Sequence, residues 1–122
     1  MPIGKYSREI LTNASQAATG LSPDFSEKVL ANLKSNEANV RAVLTKVQLG
    51  EADAGIVYKT DAAVAANEVK QIKIPDAYNV VAQYPIAVTK SAKNTPGARA
   101  WIAFLASPDG QAITAMYGFG KP

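Results

Sequence analysis

The chain has 122 residues, 48% of them hydrophobic and 19% charged, a net charge of +3, and neither histidine nor cysteine. That length allows one domain at most, with a moderate core. Without His or Cys the chain lacks the commonest general base, thiolate nucleophiles, soft metal sites and disulfides, so most of the usual machinery of catalysis is missing. The redox compartment stays open, because a disulfide-free protein can live anywhere. Cations are scattered among acids and the few aromatics are dispersed, which leaves neither the basic patch nor the stacking surface that nucleic-acid binding needs. No apolar run approaches the ~20 residues that span a bilayer. The opening Met1-Pro2-Ile3-Gly4-Lys5 has no apolar signal core, so no export address is expected in the chain as given.

Pro2 suits the start of a helix, where its missing N–H costs nothing. Tyr6, Ile10, Ala14 and Ala17 then recur at helical spacing, with Gly20 as the stop. Ser22-Pro23-Asp24 opens a second helix with a cap, a proline and an acid at the positive dipole end; Phe25, Val29, Leu30 and Leu33 form its stripe. After the polar break Ser35–Asn39, Asn39 caps a third helix with Val40, Val43, Leu44 and Val47 inside and Gly50 closing it in the left-handed conformation.

Ala54 to Tyr58 is an almost wholly apolar run that reads as a short buried strand, and Tyr58 stands last before Lys59-Thr60-Asp61. Ligands of open α/β sheets collect at such strand ends, so Tyr58 is a candidate for a buried ring with its hydroxyl facing a cleft. Asp61 to Ala66 reads as a helical turn capped by Asp61, the run from Val69 to Ile74 as a second strand, and residues 75–79 as a turn. Tyr84 to Val88 reads as a third strand, with Pro85 at an edge or crossover. Two capped helices follow. Asn94-Thr95-Pro96 opens one around Trp101, Phe104 and Leu105; Ser107-Pro108-Asp109 opens the next around Ile113, Met116 and Tyr117, with Gly118 as its stop. The order is three helices, three strands and two helices. A parallel sheet unit normally starts with a strand, so the chain reads as a piece of something longer.

Gly50-Glu51-Ala52-Asp53-Ala54-Gly55-Ile56-Val57-Tyr58-Lys59-Thr60-Asp61-Ala62 resembles, almost position for position, the most recognisable segment of the periplasmic molybdate-binding proteins of ABC transporters. Pro2-Ile3-Gly4-Lys5-Tyr6 resembles that family's Pro-Ala-Gly-x-Tyr helix start, and Tyr84-Pro85-Ile86-Ala87-Val88 its crossover strand. Ala100 to Phe119, with Phe104-Leu105, Ser107-Pro108 and Tyr117-Gly118-Phe119, resembles its C-terminal helices. Each piece alone is weak; together, in order, they cover nearly the whole chain.

The resemblance implies an α/β fold: one lobe of a type II periplasmic binding protein, a mixed sheet flanked by helices, lacking the first lobe. Residues 1–83 would be the second lobe, without its first strand, and 84–122 the crossover strand and helices that return to the first lobe. The implied function is binding of molybdate or tungstate in the solute receptor of an ABC transporter. Carried over by position, the anion ligands are Ile3 and Val40 through backbone N–H groups and Tyr58 through its hydroxyl. Ile3 stands where the family usually has alanine; only its amide would be used. The residues themselves agree, since Ile3 and Val40 fall at helix N-termini, where free amides and the dipole favour an anion. Neutral donors would favour a fully deprotonated anion, and the family implies a cavity that separates molybdate and tungstate from smaller sulfate. The implied partners are the oxyanion and a membrane permease, in a periplasmic or otherwise extracytoplasmic setting; no cofactor, catalytic residue or directly bound metal cation is implied.

The same residues have plainer readings. Tyr58 would be a half-buried tyrosine bonded to backbone, and Ile3 and Val40 would begin ordinary capped helices. Glu51 and Asp53 would solvate the turn before the strand, and Trp101 would belong to the core. A binding lobe for another anion such as sulfate is one alternative, since sulfate-, phosphate- and thiamine-type receptors share the two-lobe fold. Another is a non-binding fragment that self-associates as a homodimer or swapped oligomer, because the tail helices would have lost the surface on which they pack.

Overall fold

Residues 2–17 and 21–121 are described in this computed structural model. They form six helices: α1 (Pro2–Gln16), α2 (Phe25–Ala31), α3 (Val40–Gln48), α4 (Lys59–Val64), α5 (Thr95–Ala106) and α6 (Pro108–Met116). The chain divides into two units, Met1–Ala82 and Gln83–Pro122. No described helix is long and apolar enough to cross a membrane.

In the first unit the expected stripe of α1 is half met: Ile10 and Ala14 are buried, Tyr6 and Ala17 only half-buried, and Ile3 and Leu11 complete the buried face. The buried residues recur at helical spacing. The expected stop at Gly20 lies outside the described residues. Helix α2 begins at Phe25, later than Ser22-Pro23-Asp24 implies: Asp24 occupies the cap position without a side-chain capping bond. The Ser22 hydroxyl instead donates to the Asp24 carboxylate, and Lys28 pairs with it at 2.9 Å. The Ser22 bond first, then the Lys28 bond, hold the Asp24 carboxyl below its ordinary range. Helices α1 and α2 pack together, and the Ser26 amide donates to Ser15 Oγ at 2.9 Å between them.

Helix α3 forms as its sequence predicts. Asn39 Oδ1 accepts the Ala42 amide at 2.9 Å, Leu44 is buried, and Gly50 takes φ +72° just past the end. The expected mixed sheet is not present. Among the described residues no segment is a strand; the runs 54–58, 69–74 and 84–88 have no ladder partner. An apolar run becomes a strand only when a second backbone lies alongside it, and that pairing is not encoded locally. Residues 54–58 lie instead against α3, close enough that a Cβ on Gly55 would stand 2.7 Å from Val43 Cγ1. Ile72 and Ile86 are 82% and 52% exposed, so the other two runs are not sandwiched, and Pro85 has no N–H to give a ladder. The α/β lobe with a mixed sheet is thus corrected to an all-helical arrangement with irregular connections. The helical turn expected from Asp61 is α4, which starts two residues earlier, at Lys59.

The second unit is a helical hairpin. Asn94 Oδ1 accepts the Gly97 amide at 2.9 Å to open α5. Ser107 ends α5 and caps α6: its hydroxyl donates to the Phe104 carbonyl at 2.6 Å and accepts the Gly110 amide at 3.2 Å. Gly118, at φ +85°, closes α6 as expected. The burial expected for this unit is not found. Trp101 is 56% exposed, Met116 83% and Tyr117 70%; Ile113 is also exposed. Trp101 stacks on Phe104, with ring centroids 5.6 Å apart. Two helices alone have too little surface to cover both apolar faces.

The hairpin depends on Gly110. A Cβ there would lie 2.1 Å from the Phe104 carbonyl oxygen and 2.8 Å from Leu105 Cα, both backbone atoms that cannot rotate away. Gly110→Ala is therefore expected to destabilise the α5–α6 corner by about 1–3 kcal/mol, the usual cost of overpacking. Gly4→Ala, at an exposed α1 position with nothing within 4 Å of the new Cβ, is expected to stabilise by about 0.5–1 kcal/mol. Thermal denaturation of the two variants should move in opposite directions.

Candidate functional site

Helix α3 begins at Val40, behind Asn39 in an extended conformation (φ −149°, ψ 162°). The first amides of a helix have no acceptor within it. Asn39 takes that of Ala42, and the Val40 amide faces away from the helix at its positive end. No acid lies in the first turn of α3 to neutralise that end, and Arg41 follows with its side chain 71% exposed. Val40 itself is half-buried.

Tyr58 ends the segment that lies on α3 and occupies the cap position of α4, with φ −70° and ψ 149°. Its carbonyl accepts the amides of Asp61 and Ala62, both at 3.0 Å. Tyr58 is half-buried, as its plainer reading expects, and not fully buried. An ion pair joins the two helix starts: Arg41 Nε lies 3.9 Å from Asp61 Oδ1. The sequence reading assigned Asp61 to capping and missed this pair. Its only signal was that each charge stands shortly after a candidate ligand position, by one residue at Arg41 and by three at Asp61.

Ile3 is the second residue of α1, 5% exposed, and its carbonyl accepts the Ser7 hydroxyl at 2.8 Å. It lines a cavity of about 620 Å³ together with Leu11, Val29, Leu33, Val43 and Ile56, with Arg8, Lys34, Lys46 and Asp53 at the polar parts of its wall. Neither Val40 nor Tyr58 lines it. The structure therefore links the helices that carry Val40 and Tyr58, and places Ile3 on a different, mainly apolar surface. The second unit has a separate cavity of about 480 Å³ lined by Val88, Arg99, Ile102, Ala103 and Ala106, which holds none of the three.

Lys46 is the most interactive cation here. Its Nζ lies 2.8 Å from Glu51 Oε2 and 3.8 Å from Glu37 Oε1. Glu51 is thus a partner of the α3 end as well as a solvating group. The hydrogen bond and charge of Glu51 hold the Lys46 ammonium above its ordinary value of 10.5, against an opposing desolvation, with a lesser contribution from Glu37. A raised lysine contributes stability that is complete below the unfolded value and lost as pH rises through the folded one. Alkaline titration is expected to loosen the α3–Gly50–Glu51 turn only above the ordinary lysine range, and Glu51→Gln should remove most of that pH-dependent loosening, as read from carbon-detected NMR shifts at Glu51 and Ala52. Among the described residues no three His, Cys, Asp or Glu side chains gather to hold a metal ion.

Comparison with known proteins gives the family. The model of the family described as bacterial extracellular solute-binding protein matches residues 1–120, and the chain belongs to that family. It is 41% identical over 91 residues to the molybdate-binding protein ModA of Mycobacterium tuberculosis (strain H37Rv), a match covering 75% of this chain and 35% of that one. It is 32% identical over 120 residues to the molybdate-binding protein ModA of Escherichia coli (strain K12), covering 98% and 42%. A Bacillus subtilis protein, YvgL, which carries the name ABC transporter substrate-binding lipoprotein, is 32% identical over 121 residues, again 98% and 42%. The matches thus span less than half the length of these relatives. No solved structure gives a significant match.

Proposed function

We propose that this chain is the anion-contacting part of an ABC-transporter solute receptor and that its ligand is molybdate or tungstate. The observation that carries the reading is the coupling of the α3 start to the α4 start, in a member of a solute-binding family whose relatives include molybdate-binding proteins. In this reading Val40 donates its amide and Tyr58 its hydroxyl to one oxyanion. Ile3 donates its amide from α1, once the ligand draws the two surfaces together. Neutral donors in a partly desolvated site accept an anion without a fixed counter-charge, and a fully deprotonated anion can use every donor. The protein acts as a receptor with no chemical step and no cofactor. Residues 1–83 are its second lobe and 84–122 the crossover segment and tail helices of a longer receptor, which delivers its anion to a membrane permease outside the cytoplasm.

The test is calorimetric titration with molybdate, tungstate and sulfate. Saturable heat with the first two and none with sulfate is expected. Tyr58→Phe should weaken molybdate by about 1.5–3 kcal/mol, the worth of a hydrogen bond to a charged group. Tight sulfate binding would move the assignment to another oxyanion, and unchanged affinity in Tyr58→Phe would remove that hydroxyl from the site.

A second reading is favoured by one specific observation, the exposure of Trp101, Phe104, Met116 and Tyr117 on the α5–α6 hairpin. In it the chain on its own binds no anion and self-associates through this apolar face as a dimer or swapped oligomer. Light scattering that shows a concentration-independent monomer would count against it.

A further inference from the structure

We infer that Arg41 and Asp61 form a positioning pair that sets the start of α4 against the start of α3, and so holds Tyr58 in place relative to Val40. The inference rests on the oxyanion reading for its functional meaning, but its geometry stands by itself. Arg41 is the residue after Val40. Asp61 belongs to the first turn of α4, and its own amide bonds back to the Tyr58 carbonyl at 3.0 Å. The Arg41–Asp61 contact at 3.9 Å therefore spans the two places from which the proposed donors project. Its two ends differ in freedom: the Asp61 side chain is 23% exposed and anchored in a helical turn, whereas the Arg41 side chain is 71% exposed. The guanidinium is the freer partner and reaches the carboxylate across the two helix starts.

The pair also answers an electrostatic difficulty. A carboxylate in the first turn of α4 stands three residues from the hydroxyl offered to an anion, where it would repel that anion. Arg41 beside it offsets part of that charge, which favours the donors next to it. Two effects are thus combined, placement and charge balance, and they can be separated by sign. Removal of Arg41 weakens binding on both counts. Removal of Asp61 weakens binding if placement dominates and strengthens it if only the local field matters.

The experiment is titration of Arg41→Gln, Asp61→Asn and the reversed pair Arg41→Asp/Asp61→Arg with molybdate at low and high salt. Amide exchange at Asp61 and Ala62 is followed in the same proteins without any anion. Placement predicts a roughly three- to fivefold loss of affinity in each single variant, the effect of a partly exposed ion pair, and recovery in the reversed pair, with little change in melting temperature. It also predicts faster exchange at Asp61 and Ala62 in both single variants and recovery in the reversed one. Tighter binding by Asp61→Asn would overturn placement in favour of a simple field effect, as would unchanged exchange in the single variants. If the unmodified protein binds no molybdate while the exchange pattern follows the pair, the positioning role holds and the oxyanion reading fails.

Discussion

The close seat of Gly55 on α3 is the constraint from which the rest of the first unit follows. A side chain at that position would push into Val43 and Val47, at 2.7 and 3.2 Å from its Cβ. With hydrogen there instead, the segment from Ala54 to Tyr58 lies directly on the helix that precedes it. The chain then turns back along α3 toward that helix's own start, so that α4 begins beside α3 and Asp61 comes within reach of Arg41. Gly50 makes the reversal possible by adopting the left-handed conformation that closes α3, and Lys46 fastens the turn to Glu51. A local packing requirement is thus converted into the spacing between two potential donors.

The same logic separates what was legible in the sequence from what was not. Helix limits are set by short-range chemistry, and these were readable: Asn39, Asn94 and Ser107 cap α3, α5 and α6, and Gly50 and Gly118 end α3 and α6. Half of the α1 core was readable too, because Ile10 and Ala14 repeat at the helical period. Strands were not readable. The run at 54–58 is apolar because it faces α3, and a periodicity argument cannot distinguish that from a place inside a sheet. The exposure of Ile72 and Ile86 shows the converse error, in which β-branched residues suggest strands without any partner to complete them.

For the candidate site, the positions at helix starts were legible because an N-cap residue advertises the amides behind it. Their mutual arrangement was not. Arg41 and Asp61 are twenty residues apart and each reads as an ordinary surface charge until the α3–α4 turn brings them together. Ile3 shows the limit from the other side. As an amide donor it matches a family pattern, yet its side chain is one of the most buried in the chain and belongs to the α1 surface that faces Val43 and Ile56 across the cavity. Neither Val40 nor Tyr58 lines that cavity.

The second unit obeys a different balance. All six buried hydrophobic residues of the described core, from Ile3 to Ala65, lie in the first unit. The α5–α6 hairpin is held by caps, by the Ser107 corner and by the close approach at Gly110. Each cap is worth about 1 kcal/mol, whereas fixing a single residue's backbone costs about 1–2 kcal/mol. Local bonds of this kind define the shape of the hairpin but cannot by themselves keep it folded. Its stability must come from cover over Trp101, Phe104, Ile113 and Met116, whose side chains are the largest apolar reserve the unit has. The two functional readings differ in what supplies that cover: the rest of a longer receptor in one, a second copy of the chain in the other.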